Sequence, residues 1–64
     1  MNNAQINRAC RALCERYRCK FVRRCPVVIN GETHQRITVE YGSDYGSLTA
    51  TIQISNERLK EYER

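Results

Sequence analysis

The chain lacks any apolar run approaching the about 20 residues needed to cross a bilayer. It also lacks an apolar segment near its start of the kind found in secretory signals, because the first ten residues, MNNAQINRAC, are mostly polar. The sequence therefore predicts a protein with no membrane segment. Since nothing marks the chain for export, we expect a cytoplasmic location, where reducing conditions keep thiols free.

Residue types needed for catalysis are also scarce. His34 is the single histidine, and a Cys–His dyad would need a cysteine beside it and a second group to orient it. The acidic residues are scattered rather than paired for acid–base work. The three glycines fall in predicted turns, so no phosphate-binding loop is present. We therefore expect a binding protein and not an enzyme, with no catalytic residues and no cofactor.

Acidic residues are nearly missing from the first 24 positions. This segment carries seven basic side chains against one acid, Glu15, a net charge of +6. Residues 25–64 carry four basic and six acidic side chains, a net charge of −2, so the whole chain has a formal charge of +4. A concentrated positive field of this kind attracts nucleic acid or an acidic protein surface.

The cysteines bear on how so short a chain is stabilised. A chain of 64 residues is one domain (1–64), and such domains often need a disulfide, a metal or a partner subunit. The spacing C-x3-C-x4-C-x5-C lacks the close pairs typical of zinc sites. We favour free core thiols, with Cys19 the most exposed, and expect no metal. A metal shared by Cys10 and Cys14, and a Cys19–Cys25 disulfide, are the alternatives.

A helical pattern with a period near 3.6 covers residues 4–20. Asn3 should cap this helix, because its side-chain oxygen can accept an orphan backbone N–H. We expect the helix to end near Cys19 or Lys20. The apolar residues that share one arc are Ile6, Ala9, Cys10, Leu13, Cys14, Tyr17 and Phe21.

The first hairpin is predicted from Asn30-Gly31, which lies between two apolar runs. We expect a three-residue loop with Gly31 in the left-handed conformation. In this register Arg24 faces Arg36, whereas a two-residue loop would place Arg24 opposite Ile37. The helix-facing residues of the expected register are Phe21, Cys25, Val27, Ile37, Val39 and Tyr41.

The rest of the chain predicts a third strand and a short helix. Residues 42–47, GSDYGS, form the second turn, and Leu48, Ala50, Ile52 and Ile54 alternate with polar residues after it. Asn56 should cap a C-terminal helix with Leu59 and Tyr62 facing inward, and Pro26 marks the first strand as an edge. The predicted fold class is α+β: an N-terminal amphipathic helix packed on a three-stranded antiparallel meander, then a short C-terminal helix (α-β-β-β-α).

This order and length resemble those of the double-stranded RNA-binding domain. Residues 31–34 (GETH) with 37–41 (ITVEY) are similar to that family's Gly-Pro-x-His turn and second strand, and residues 55–60 lie where its lysine-rich helix begins. The proline is absent, the strand register is one residue short, the last helix is brief, and Lys60 alone matches the lysine cluster. The resemblance is one of topology, and topology does not fix function.

Arginine suits phosphate because its planar fork can bond two oxygens at once. The basic groups form one cluster on the exposed side of the helix and another beside the first hairpin. The candidate residues for binding nucleic acid or a protein partner are Arg8, Arg11, Arg18, Arg23, Arg24 and Arg36. The outer sheet face has no aromatic pair for base stacking, so phosphate contacts should dominate if nucleic acid binds.

Three functions fit this sequence. The first is a small nucleic-acid-binding regulatory protein that acts through arginine–phosphate contacts. The second is a small inhibitor or accessory factor, of the kind phages and mobile elements encode, that binds a host protein or nucleoprotein complex. The third, compatible with either, is a homodimer joined through the open sheet face or an edge strand.

Overall fold

The computed structural model describes residues 1–63 and confirms the predicted α-β-β-β-α order. Its elements are helix α1 (Asn3–Arg16), strands β1 (Lys20–Ile29), β2 (Glu32–Ser43) and β3 (Gly46–Ser55), helix α2 (Asn56–Leu59) and a 3-10 turn (Lys60–Tyr62). The strands form one antiparallel sheet in the order β1-β2-β3. Strand β2 is therefore central, and β1 and β3 are both edges.

Helix α1 is capped one residue earlier than expected. The Asn2 side chain accepts a hydrogen bond from the Gln5 N–H at 2.9 Å, and the Gln5 side chain accepts one from the Asn2 N–H at 2.8 Å. This reciprocal pair is a capping box. The prediction that Asn3 is the cap was wrong, because Asn3 is already the first helical residue. The buried residues of α1 confirm its predicted apolar side: Ile6, Ala9, Cys10, Leu13 and Cys14.

The end of α1 also comes earlier than the predicted end near Lys20. Arg18 has a φ of 55°, in the left-handed region that non-glycine residues seldom adopt. The Cys19 N–H donates to the Cys14 carbonyl at 2.9 Å, and the Arg18 N–H donates to the Glu15 carbonyl at 3.2 Å. These two bonds define a Schellman motif, which stops the helix and turns the chain into β1. Tyr17 lies outside the helix and is 55% exposed, so its predicted place in the core was wrong.

The first hairpin has a two-residue turn and not the expected three-residue loop. Ile29 pairs with Glu32 across the turn. Between them Asn30 and Gly31 have φ values of 51° and 79°, as a type I′ turn requires. This turn follows the right-handed twist of the strands, which favours it over a longer loop. The predicted register was therefore wrong by one residue.

Because the turn is shorter than predicted, several β1 side chains lie on the other face of the sheet from the one expected. Cys25 and Val27 lie opposite Arg36 and His34 on the outer face, although they were predicted to face the helix. Arg24 was expected on the outer face opposite Arg36. It lies instead on the helix-facing side opposite the buried Ile37, as a two-residue loop requires.

Phe21 keeps its predicted side because the strand contains a bulge. The register shifts between Phe21 and Arg23, so Val22 is an extra residue that β2 does not match. An inserted residue reverses the alternation of side chains beyond it. Phe21 therefore faces the helix opposite Val39, despite the changed turn.

The C-terminal segment follows the prediction except at its cap. The Ser55 hydroxyl, and not the Asn56 side chain, caps α2 by accepting from the Arg58 N–H at 3.2 Å. Leu59 is fully buried and Tyr62 packs against the core, which confirms both inward positions.

The core lies between α1, β2 and α2, and the helices cover the helix-facing side of β3 only in part. Its buried apolar residues are Ile6, Ala9, Cys10, Leu13, Cys14, Ile37, Val39 and Leu59. No residue of β3 belongs to this set. The predicted helix-facing side of β3 is confirmed by its pairing with β2, yet Leu48 on that side is 60% exposed.

Candidate polyanion-binding surface

Four of the six predicted arginines lie along the β1 side of the molecule. Arg11 of α1 holds its guanidinium carbon 5.4 Å from the centroid of the Phe21 ring in β1. Arg18 lies in the turn that enters β1, and its predicted place on the exposed face of the helix was wrong, because α1 ends at Arg16. Arg23 and Arg24 belong to the edge strand itself and lie on its outer and helix-facing sides, respectively. We call Arg11, Arg18, Arg23 and Arg24 the β1-side surface.

Arg8 lies on the opposite flank of α1, toward the C-terminal residues. Its Nη2 is 3.8 Å from Oε1 of Glu63. It also lines a small cleft of about 240 Å³ together with Arg16, Glu61 and Tyr62. A carboxylate therefore pairs with the arginine on this flank, whereas no arginine on the β1 side has a carboxylate within 4.0 Å among residues 1–63.

Arg36 does not form the predicted pair with Arg24. Arg36 lies on the outer face of the central strand and donates from Nη2 to Oε1 of Gln53 at 3.2 Å. Arg24 lies on the other face of the sheet, opposite Ile37. The proposed anion site between these two arginines was wrong, because it depended on the three-residue loop.

Arg24 is held in a network of neutral amide groups. Its Nε donates to Oδ1 of Asn7 at 2.7 Å, its Nη1 to Oε1 of Gln35 at 3.1 Å, and its Nη2 to Oδ1 of Asn3 at 3.4 Å. Gln35 in turn donates from Nε2 to Oδ1 of Asn56 at 3.0 Å. The network therefore joins α1, β1, β2 and α2 through one half-buried guanidinium that has no carboxylate partner.

Sequence reasoning missed Gln35, which is the one buried polar residue in the described part of the chain and is 1% exposed. The sequence did contain an indication, because Gln35, Ile37 and Val39 are alternate residues of β2 and therefore share its buried side. A polar side chain on the buried side of a strand needs a hydrogen-bonding partner. Arg24 supplies that partner only in the register that the two-residue turn creates.

The β1-side surface can receive an anion because none of its arginines forms an ion pair within residues 1–63. Within residues 1–63 the Arg8–Glu63 contact is the single ion pair. Each arginine of the β1-side surface therefore lacks a carboxylate within 4.0 Å in this part of the chain. Arg11 and Arg24 are also restrained, one by an aromatic ring and the other by amide oxygens. Restrained guanidinium groups without an acidic partner are suited to binding phosphate oxygens.

The cysteines are four free thiols with unequal exposure. Cys10 and Cys14 are buried, which confirms their predicted place in the core. Cys19 is half-buried and its thiol contacts the Cys14 carbonyl at 3.6 Å. Cys25 is exposed, so the prediction that Cys19 is the most exposed thiol was wrong. The reason is again the register, which turned Cys25 to the outer face.

The buried thiols are poor nucleophiles. Burial raises the pKa of the Cys10 thiol, and the charge of Arg24 opposes this only in part. Burial, followed by the contact with Cys19, raises the pKa of the Cys14 thiol to about 12. Among residues 1–63, no three His, Cys, Asp or Glu side chains come together in a way that could hold a metal ion.

His34 and Cys25 share the outer face without forming a dyad. His34 Nδ1 is 3.1 Å from the Glu32 carbonyl oxygen, and the Cys25 thiol donates to the Pro26 carbonyl at 3.7 Å. Each side chain therefore has a local backbone partner, and the two are not hydrogen-bonded to each other. This geometry offers no activated nucleophile at the pair.

Comparison of the chain with protein-family models, curated proteins and solved structures finds no match. None of the helices formed by residues 1–63 is long and apolar enough to cross a membrane.

Proposed function

We propose that the chain is a small, non-enzymatic nucleic-acid-binding regulatory protein that contacts phosphates through the β1-side surface. The supporting observation is the uneven pairing of its charges. The arginine on the far flank, Arg8, has a carboxylate at 3.8 Å, whereas those of the β1-side surface have none within residues 1–63. An unpaired basic edge of this kind is the electrostatic footprint of a polyanion-binding protein.

The restraint on two of these arginines supports the proposal further. A free arginine side chain carries about 2 kcal/mol of rotamer entropy, part of which is lost when it binds a phosphate. Arg11 already lies over Phe21, and Arg24 already has three hydrogen bonds. Less entropy is therefore lost on binding, as in other preorganised sites.

Contacts to phosphates, and not to bases, fit the remaining surface. Sequence-specific binding of single strands uses aromatic side chains on which bases stack. The outer face of the central and third strands carries threonines, Gln53, Arg36 and His34 instead. Tyr45 is fully exposed at the β2–β3 turn, but a single exposed ring does not form a platform on which successive bases stack. We therefore expect binding with little dependence on base sequence.

The test is fluorescence anisotropy with labelled duplex DNA, duplex RNA and single strands of one length, over a range of salt concentrations. For duplex DNA each phosphate contact contributes about 0.9 to the slope of log affinity against log salt. Four arginine contacts therefore predict a slope of about −3.6. We expect binding to persist near physiological salt and to favour one form of nucleic acid.

Matched variants locate the surface. Arg23→Ala and Arg18→Ala should each weaken binding to every sequence alike and reduce the slope by about 1. Arg8→Ala removes the same charge from the opposite flank and should leave the slope unchanged. Equal effects of the Arg8 and Arg23 variants would mean simple attraction to net charge and would overturn the proposal. Loss of all binding near physiological salt would also overturn it, and would direct the search to an acidic protein surface, as the inhibitor hypothesis expects.

A further inference from the structure

The free edge of β3 lacks the features that prevent strands from pairing with another chain. β3 reads GSLTATIQIS and contains no charged residue and no proline. β1, the other edge, reads KFVRRCPVVI, with three basic residues, a proline and a bulge. Charges, proline and bulges on an edge strand discourage pairing with another strand. β1 is therefore protected, whereas β3 presents ten residues of unprotected backbone.

The helix-facing side of β3 has a hollow at one end and a projection at the other. A groove of about 590 Å³ runs beside its C-terminal half, between Ile52 and Ile54 on the strand and Tyr17 and Tyr62 of the helical layer. In its N-terminal half Leu48 projects with 60% of its surface exposed. An antiparallel arrangement of two β3 strands places the projection of one beside the hollow of the other.

We propose that β3 pairs antiparallel with β3 of a second copy of this chain, about a two-fold axis at Thr51. In this register Leu48 lies opposite Ile54 and Ala50 opposite Ile52 on the helix-facing side. Thr49 lies opposite Gln53 on the outer face. Apolar residues therefore meet apolar ones and polar residues meet polar ones, and no charge is buried. The result is a continuous six-stranded sheet with both α1 helices on one face.

This register is also more favourable than the registers that result from shifting the two strands relative to each other. Moving the strands by one residue would oppose Leu48 to polar residues, because alternate side chains point to opposite faces. Moving the axis to Ala50 would pair Leu48 with Ile52 and leave Ile54 opposite Gly46. Only the axis at Thr51 brings Leu48 to the partner's Ile54, which lines the groove together with Tyr62.

Charge complementarity beyond the strand ends favours a second copy as the occupant. The β2–β3 turn, with Asp44 and the fully exposed Tyr45, extends past the end of the partner's β3 toward the partner's α2. That helix carries Arg58, which lines the groove, and Glu57, which lines a separate cleft together with Lys60. In residues 1–63 neither Asp44 nor Arg58 has an ion-pair partner. The two-fold axis places opposite charges near each other twice.

The available area fits a reversible dimer. A ten-residue strand is about 33 Å long, and the smallest dimension of the molecule is 15 Å. The edge therefore presents on the order of 500 Å² per copy, or roughly 1,000 Å² for the pair, near the lower limit of specific interfaces. We expect dissociation in the micromolar range and not an obligate dimer.

The first test is sedimentation velocity of the full chain from low to high micromolar concentration. Thr51→Lys places two lysines opposite each other at the axis, and Thr51 is exposed on the outer face, so the monomer can accommodate the change. Val28→Lys is the matched control, because Val28 is 71% exposed on the opposite edge strand. We expect wild type and the Val28 variant to dimerise and the Thr51 variant to remain monomeric, with unchanged circular dichroism. A monomeric wild type, or equal behaviour of the two variants, would overturn the proposal.

The second test measures the register directly. In a Cys25→Ser background, which removes the exposed thiol, Thr51→Cys places two thiols across the axis, where Cα atoms are about 4.5–5.5 Å apart and within disulfide range. Thr49→Cys is the control, because its two copies lie about 13 Å apart, four strand positions from each other. Mild oxidation should therefore cross-link the Thr51 variant rapidly and the Thr49 variant hardly at all. Equal cross-linking of both, or none of either, contradicts the register.

Discussion

Replacing Arg24 with alanine should destabilise the fold, because this arginine satisfies a buried acceptor. Gln35 is 1% exposed, and its Oε1 accepts from Arg24 Nη1 at 3.1 Å. Without the guanidinium, this oxygen has no described donor and is shielded from water. Asn3 and Asn7 also lose their bonds to Arg24, but both are exposed and can bind water instead.

The magnitude follows from these two kinds of loss. A buried acceptor left without a partner costs about 1–3 kcal/mol, and an exchangeable surface hydrogen bond costs much less. We therefore expect Arg24→Ala to lower the free energy of unfolding by about 2 kcal/mol. In a domain of this size each kcal/mol shifts Tm by about 4–8 °C, so Tm should fall by about 8–16 °C.

Thermal and urea unfolding at one fixed protein concentration measure this effect, since the proposed dimerisation would make stability depend on concentration. Arg23→Ala is the control, because it removes the same side chain from an exposed neighbouring position and should stay within about 0.5 kcal/mol of wild type. Replacing both Arg24 and Gln35 with methionine should cost at least about 1 kcal/mol less than the two single changes added together. If Arg24→Ala is no more destabilising than Arg23→Ala, the network has no structural role and the reasoning is refuted.

Two further predictions follow from the end of α1 and from the thiols. Arg18→Gly should raise the free energy of unfolding by about 1 kcal/mol, because glycine adopts the left-handed conformation without strain, while it weakens binding to nucleic acid by removing a phosphate contact. A variant that is neither more stable nor weaker in binding would contradict both assignments. Folding raises the pKa of the Cys14 thiol from 9.0 to about 12, so the unfolded state loses this proton first and stability should fall as pH rises from 9 toward 12. Cys14→Ala should flatten that decline in urea titrations, and alkylation of the native protein should modify Cys25 first, Cys19 more slowly and Cys14 only after unfolding.

The order of the elements could be predicted because it depends on local periodicity. The arc of apolar residues around Leu13 fixed the buried side of α1, and the alternation from Leu48 to Ile54 fixed the two faces of β3. The strand register could not be predicted in the same way, because two turn lengths both accommodate Asn30-Gly31. The bulge at Val22 added a second ambiguity, since it reverses the alternation that the turn establishes.

The candidate site was predicted less well than the fold for the same reason. The expected Arg24–Arg36 pair and the expected inward position of Cys25 both depended on one loop length. Gln35 could have settled the register, because a buried amide needs a partner, and only the two-residue turn brings Arg24 to it. The exposure of Arg8 and Arg11 on α1 was predicted correctly because helical periodicity needs no long-range pairing, whereas Arg18, expected on the same helix face, lies beyond the end of α1.

The two edges of the sheet differ in charge, since β1 carries basic residues and β3 carries none. The proposed nucleic-acid binding through β1 and the proposed dimerisation through β3 are therefore compatible. A chain with a net charge of +4 repels its own copies, so a dimer is favoured only if the charges lie far from the contact. Five strand spacings of about 4.8 Å separate the two β1 strands of the proposed six-stranded sheet, a distance of about 24 Å. The Debye length near physiological salt is about 8 Å, so the repulsion between the two β1-side surfaces is largely screened. The same separation leaves both surfaces free to contact phosphates, one at each end of the dimer.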